Sequence, residues 1–365
     1  MESVVENKKV LNPNFWKSKR VLLTGHTGFK GSWTSLVLLK LGAVVQGISL
    51  SPNTTPSLFD TLGLSAHLNH KIADIRDINA LNKIMKSFQP EIIIHMAAQP
   101  LVRKSYDDPI ETYSTNVMGT VNLLHAAQLS KSLLSTLVIT TDKCYENNEW
   151  VWGYRETDSL GGFDPYSNSK ACAELVCSAY RNSFYSKKKI GLATARAGNV
   201  IGGGDWSMDR LIPDILKSVL NKSDIEIRSP KSIRPWQHVI EPIYGYLMLA
   251  ESMALVPKDF SEAWNFGPND FDAKSVEYIA KYISSKYKNK FALKSQLGDH
   301  PHEAGYLKLD ISKTRSLLGW EPKWSLETAL DLVLDWNDAF LDRQNMYEKS
   351  MSQLDFYERS CIKKE

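Results

Sequence analysis

Tyr166 and Lys170 stand four residues apart in the run Tyr-Ser-Asn-Ser-Lys. On a helix, a phenol and an ammonium at that spacing project from one face, a turn apart. A phenol with an ordinary pKa of roughly 10 is a poor base at neutral pH. A lysine one turn away, joined by a second positive charge, stabilises the phenolate and brings it into working range. Such a pair also occurs by chance on solvated helix faces, so its meaning comes from its surroundings. Upstream lies a second polar cluster, Thr140-Thr141-Asp142-Lys143-Cys144-Tyr145. It closes an apolar run over about 136–140, and open α/β sheets bind their ligands beyond the C-terminal ends of such strands. A hydroxyl, a carboxylate and an amine at that edge are hard to explain as packing; a surface turn is the competing explanation.

A third group is glycine-rich: Thr24-Gly25-His26-Thr27-Gly28-Phe29-Lys30-Gly31. The glycines fall three apart, between an apolar run and a helical pattern. Gly25 suits a tight turn, Gly28 the approach of backbone to a pyrophosphate, and Gly31 close helix packing, with the helix N-terminus facing the anion. The acidic residue that would hold a ribose hydroxyl after the second strand is missing; Ile48-Ser49-Leu50-Ser51 stands there. Asp74 follows a third strand and suits either an adenine amino group or a helix N-cap.

Short apolar strands alternate with helical patterns through the first two hundred residues. Strands are expected at about 20–23, 44–49, 91–95, 136–140 and 190–196. Helices are expected at about 31–41, 80–88, 113–130 and 167–185. This alternation implies βαβ units and a doubly wound parallel sheet. After Asn199 the pattern becomes irregular. The expected division is a dinucleotide-binding domain over 15–199, mainly a smaller mixed α/β substrate lobe over 200–345, and a polar, loosely ordered tail over 346–365. Ala263 to Phe266 is expected to return one strand to the main sheet.

With 44 basic and 41 acidic residues in 365, the net charge of +3 makes no electrostatic case for coating nucleic acid. Four cysteines (Cys144, Cys172, Cys177 and Cys361) lack metal spacing and are too few for a disulfide scaffold. No apolar run approaches membrane-spanning length, and the first residues lack the apolar core of a signal peptide. A cytoplasmic enzyme without metal is the expectation.

Taken together, these motifs resemble the extended short-chain dehydrogenases/reductases that act on nucleotide sugars. The strings that carry the resemblance are LLTGHTGFKGSW, HMAAQP, TDKCYEN, DPYSNSKACAE, ARAGNVIGGGDW, DRLIPD and IRPWQHV, with Asn116 in Asn-Val-Met-Gly-Thr. They lie within a span of about 15–340. The His-Thr-Gly-Phe-Lys-Gly-Ser-Trp loop and the lysine of Thr-Asp-Lys resemble the 4,6-dehydratases that take CDP-glucose; the dTDP-glucose branch carries glutamate where Lys143 stands. The resemblance implies a Rossmann-type fold and NAD as a tightly held cofactor. Gly25, Thr27, Gly28, Phe29, Lys30 and Gly31 would surround its pyrophosphate, and Asp74 and Ile75 its adenine. Ala97, Ala98, Gln99 and Asn116 would lie along the remainder, with Tyr166 and Lys170 at the nicotinamide.

For the substrate, the resemblance implies Asn199, Arg210 and Arg234 at the diphosphate and Tyr306 nearby. The segment from His300 to Tyr306 replaces an arginine-containing stretch of the dTDP branch and is a candidate for reading the base. The implied reaction oxidises glucose C4, eliminates water across C5 and C6, and returns hydride to C6. Thr141 would bind the C4 oxygen, Tyr166 would act as redox base and Asp142 as the acid for the departing hydroxyl. Lys143 would either remove the C5 proton or stabilise the enolate. A homodimer or higher homo-oligomer is implied as well. The rivals are a nucleotide-sugar 4-epimerase, a dehydratase for another nucleotide, and a non-catalytic NAD-binding regulator.

Overall fold

Buried runs rich in Val, Ile, Leu and Ala cannot face water on either side, and here they stack into one sheet covered by helices. The structure, a computed structural model, describes residues 11–287, 293–295 and 305–362. Its strands are β1 Arg20–Thr24, β2 Val44–Ser49, β3 Asn69–Ile72, β4 Ile92–His95, β5 Ser135–Ile139 and β6 Gly191–Ala197. They continue with β7 Val200–Ile201, β8 Ile225–Ile227, β9 Ile233–Pro235, β10 Gln237–His238, β11 Ala263–Phe266, β12 Ala273–Ser275 and β13 Leu293–Ser295. Seven of them form the main sheet in the order β11-β6-β5-β4-β1-β2-β3, every neighbouring pair parallel. The chain therefore winds outward in both directions from β1 and β4, which leaves a crevice between their C-terminal ends.

That crevice is held open by a small polar network. The Thr24 hydroxyl accepts from the backbone N–H groups of Met96 and Ala97, both at 3.1 Å, and meets His95 Nδ1 at 2.7 Å. Burial pushes His95 down to about 3, so the ring is neutral. With Thr24 donating to Nδ1, the Nε2 proton faces Thr120. The ends of β1 and β4 are thus tied side chain to backbone where the loops diverge.

The helices differ from expectation mainly at their ends. The first long helix begins at Phe29, two residues early, with Gly28 as its N-cap, and Gly42 beyond its end adopts φ +74°. The helix expected from 113 begins at Pro109 and passes through one wide turn, Ser114–Met118, before Gly119–Ala127. The Pro165–Tyr180 helix is capped by the Asp164 carboxylate, which accepts from Ser167 N–H at 2.9 Å. Asp77, not Asp74, caps the Ile78–Phe88 helix.

Beyond β6 the smaller strands pair among themselves: β7 with β10, β9 with β12 and β8 with β13. A separate apolar cluster, including Ile212, Ile215, Ile225, Ile279 and Leu330, holds them against their helices. The expected loose tail is wrong. Residues Met346–Cys361 form a helix that buries Leu354, Tyr357 and Cys361. Spacings of three and four between those residues give it one apolar face, which its polar average conceals. Tyr357 donates its phenolic proton to buried Glu241 at 2.7 Å, and Tyr244 donates to Glu358 at 2.7 Å.

Glu241 is 1% exposed, and burial raises its pKa from 4.5 to about 7 against the opposing hydrogen bonds from Tyr357 and the backbone. Between those values the folded chain binds more protons than the unfolded one, so Glu241's contribution to stability falls as pH rises through that window. Melting temperature measured across it should fall faster for the wild type than for Glu241→Gln, which stays neutral throughout. Parallel profiles would show that Glu241 keeps an ordinary carboxylate pKa.

Candidate active site

One cleft of about 560 Å³ lies along the C-terminal edge of the sheet. It gathers Gly25, Thr27, Gly28, Phe29, Lys30, Gly31, Asp74, Ile75, Ala97, Ala98, Gln99, Thr141, Asp142, Lys143, Tyr166, Lys170, Asn199, Arg210 and Arg234 into one lining. Two expected residues are not in that lining. Asn116 is buried behind it: its Oδ1 accepts from Gln99 N–H at 2.8 Å, and its Nδ2 donates to the Gln99 carbonyl and to Ser169 Oγ. Its donors and acceptor are occupied in shaping the wall, so it supports the cleft without lining it. Tyr306 pairs by backbone with Ile233 and donates its N–H to Glu149; residues 300–304 before it lie outside the described residues.

In the half of the cleft beside β1, Gly25 has φ +77°, and a Cβ there would lie 2.7 Å from Ala97 N. A Cβ at Gly31 would strike the Gly25 carbonyl, so Gly31 packs the helix onto its own loop. Gly28 is different: its Cβ position meets nothing nearer than 3.4 Å. This is the face left open, with unpaired N–H groups of a helix start behind it. Thr27 donates to the Leu50 carbonyl and meets the Ser49 hydroxyl at 2.9 Å, fixing the β2 end where an acidic residue is missing. Asp74 is held by Arg76 through side chain and backbone, and this keeps its pKa low. Open glycine surface, helix N-terminus and these flanking walls fit a dinucleotide.

In the other half, Tyr166 and Lys170 face the loop after β5. Lys170 Nζ donates to the Ile139 carbonyl at 3.0 Å, and desolvation lowers its pKa to about 8. Tyr166 is pushed up to about 12 by burial, against the opposing influence of the neighbouring Thr141 hydroxyl. The phenol alone is therefore a weak base, and further positive charge in the cleft would bring it down. The one Thr141 hydroxyl proton goes to Asp142 Oδ1 at 3.0 Å. Asp142 is 2% exposed, its pKa raised by desolvation, and its buried Oδ2 has no hydrogen-bond partner among the described residues. An orphaned buried carboxyl oxygen of this kind is costly unless a ligand meets it or it carries a proton. Lys143 is half-buried beside it.

Cationic side chains in the rest of the lining are interleaved with acidic ones. Lys30 is lowered to about 8, first by burial and then by the neighbouring Arg210 and Lys170. Arg210 pairs with Asp205 at 2.8 Å, and Arg234 is 7% exposed. Sequence reasoning missed two supports. Asp205 holds Arg210, and Glu174 accepts from Thr140, Thr194 and twice from Arg196, all within 2.5–2.9 Å. Glu174 stands four residues after Lys170 on the same helix, and that spacing was the available signal. Among the described residues no cluster of His, Cys, Asp or Glu could hold a metal ion, and no helix is long and apolar enough to cross a membrane.

Comparison with known proteins places this architecture. Residues 22–333 match the family described as GDP-mannose 4,6 dehydratase. The CDP-glucose 4,6-dehydratase of Salmonella typhimurium is 51% identical over 353 residues, covering 95% of this chain and 98% of that protein. Among solved structures, the UDP-glucose 4-epimerase of Thermotoga maritima with UDP-glucose has a TM-score of 0.76 at 23% identity, covering 88% of this chain and 99% of that one. The dTDP-glucose 4,6-dehydratase of Bacillus anthracis in complex with NAD has a TM-score of 0.71 at 21% identity, covering 88% and 97%. These two share the fold, while the long and close match to the Salmonella protein goes further. On its sequence match and its sheet alike, this chain belongs to the GDP-mannose 4,6 dehydratase family.

Proposed function

We propose that the chain is a hydro-lyase of deoxysugar biosynthesis, converting CDP-D-glucose to CDP-4-dehydro-6-deoxy-D-glucose with NAD as its resident cofactor. The observation that carries this reading is the orphaned Asp142 Oδ2, buried in the same cleft as the Tyr166 phenol. A 4-epimerase needs the phenol but has no leaving hydroxyl for a buried acid to protonate. The Salmonella relative, named for this reaction, supports the choice of substrate. The open glycine face and the helix start fit the NAD pyrophosphate. When bound, NAD supplies reversible two-electron oxidation, taking electrons at sugar C4 and returning them at C6.

The chain's own residues handle the protons. Tyr166 Oη accepts the C4 hydroxyl proton, while Thr141 donates a hydrogen bond to the C4 oxygen. Lys170 stabilises the phenolate from one turn away. A ketone at C4 acidifies the C5 proton, which makes elimination possible. Asp142 then protonates the departing C6 hydroxyl from Oδ2. Burial raises the pKa of Asp142, the direction an acid in this role requires. Lys143, beside it, either removes the C5 proton in its neutral form or, charged, stabilises the enolate. Asn199, Arg210 and Arg234 hold the diphosphate, two guanidinium forks matching phosphate oxygens.

Incubation with CDP-glucose should yield the 4-keto-6-deoxy product; a 4-epimer would replace this reading with the epimerase. Tyr166→Phe should lose C4 oxidation altogether. Asp142→Asn should slow elimination by about 10²–10⁴-fold and, in a single turnover, accumulate reduced nicotinamide absorbance together with the 4-keto intermediate. If the absorbance never appears in Asp142→Asn, the carboxyl belongs to the oxidation step.

A homodimer is part of the same reading. Pro109, Ile110, Tyr113, Val117 and Met118 form an apolar strip with Cys172, and Ile110 is 82% and Met118 52% exposed. Large side chains grouped this way on a surface suit contact with a second copy. Sedimentation should give a dimer for the wild type and a monomer for Ile110→Asp; a monomeric wild type would remove the dimer.

A further inference from the structure

The cleft continues past Arg210 onto a wall that no step of the reaction uses. It is built from Leu211, Ile212 and Pro213 at the start of the Leu211–Leu220 helix, with Ile227 and Val276. Two polar side chains in the lining stand on this apolar wall, Asp214 and Arg228. Asp214 follows Arg210 by one helical turn, its N–H bonded to the Arg210 carbonyl at 3.0 Å. It therefore stands about 6 Å along the helix axis from the arginine proposed for the diphosphate, room for a ribose between phosphate and base.

The hydrogen-bonding state of the neighbours singles out this pair. Arg228 donates to the Asp209 carboxylate at 3.3 Å and to the Asp209 carbonyl at 3.2 Å. Asp209 is committed from both sides, since Arg103 also lies 3.5 Å from its Oδ1. Glu226 is exposed on β8, between two buried isoleucines. Asp214 is half-buried; its carboxylate lies 4.0 Å from Arg228 Nη2 and accepts no hydrogen bond among the described residues. A free acceptor thus stands beside a fork of donors that has N–H groups to spare.

We infer that Asp214 and Arg228 select cytosine over uracil and thymine, the carboxylate accepting from the N4 amino group and the guanidinium donating to N3 and O2. This rests on the CDP-glucose reading above and adds the residues that recognise its base. Along the same edge uracil presents a carbonyl at position 4 and an N–H at position 3. The carboxylate would then face an oxygen and the guanidinium a proton. A site built to hydrogen-bond one pattern rejects the other because its own polar groups are left unpaired. The apolar wall supplies packing for any pyrimidine, so discrimination falls to the two polar side chains.

The test is calorimetric binding of CDP and of UDP to the full-length, NAD-loaded protein, which requires no turnover. The wild type should favour CDP. Asp214→Asn and Arg228→Gln should each weaken CDP by about tenfold to a hundredfold while UDP holds or improves, collapsing the ratio. An unchanged CDP:UDP ratio in both variants overturns the inference, as does a loss common to both nucleotides, the mark of a disturbed fold. Failure of the dehydratase reading is a separate observation, the absence of 4-keto product from the wild type with CDP-glucose, and it leaves the nucleotide ratio readable.

Discussion

Glu174 and Arg196 make the contact on which the geometry of this cleft depends. Each side chain is about 3% exposed, and two charges removed from water so completely are stable only when every lone pair and proton is met. Here they are met from three elements. Thr140 donates from the end of β5, Thr194 and Arg196 from β6, and the carboxylate itself belongs to the Pro165–Tyr180 helix. Arg196 extends the network to Tyr145, whose phenol donates to Asn265 on β11. The helix bearing Tyr166 and Lys170 is thereby fixed to the two strands whose ends carry the rest of the chemistry. Thr141 and Asp142 follow Thr140 directly, so the distance from phenol to acid is set by a bond outside the cleft.

With the frame fixed, the cleft can hold groups in states that water would not allow. Lys30 and Lys170 are both lowered to about 8 and Tyr166 is raised to about 12, each chiefly because burial penalises its charged form. Lys143, Arg210 and Arg234 line the same cleft, with Asp205 paired to Arg210. The helix start at the glycine loop and the two arginines are each suited to a diphosphate.

The sheet was legible because its signals are local. Apolar runs, glycine punctuation and helix periodicity each occupy a few neighbouring residues, and alternating strands and helices imply a parallel sheet. Gly25 and Gly31 were legible as tight positions because a close backbone approach leaves its mark on residue type. What stayed illegible has a different cause. Asn116 could not be told from a ligand contact without knowing that Gln99 and Ser169 occupy its polar atoms. Asp74 could not be told from a cap until Arg76 and Asp77 had taken their places. The Met346–Cys361 helix averages as polar, and its buried face is visible only against Glu241, more than a hundred residues earlier. Residue type survives in a sequence; the partner that satisfies a polar atom across the fold does not.

The Ile240–Leu255 helix has a consequence for how the chain is made. At one end Glu241 takes the phenol of Tyr357, and at the other Glu251 takes the indole N–H of Trp16 at 3.1 Å. Strands β1 to β6 can pair as soon as they leave the ribosome, yet this buried helix is finished only when residues 346–361 arrive. Until then Tyr244 and Trp324, which pack on Tyr357, remain uncovered on a chain already carrying its whole sheet. Late synthesis is thus the interval in which a sticky surface is exposed. A ribosome stalled short of residue 346 would hold a chain with its cleft assembled and its underside bare, a natural client for a chaperone.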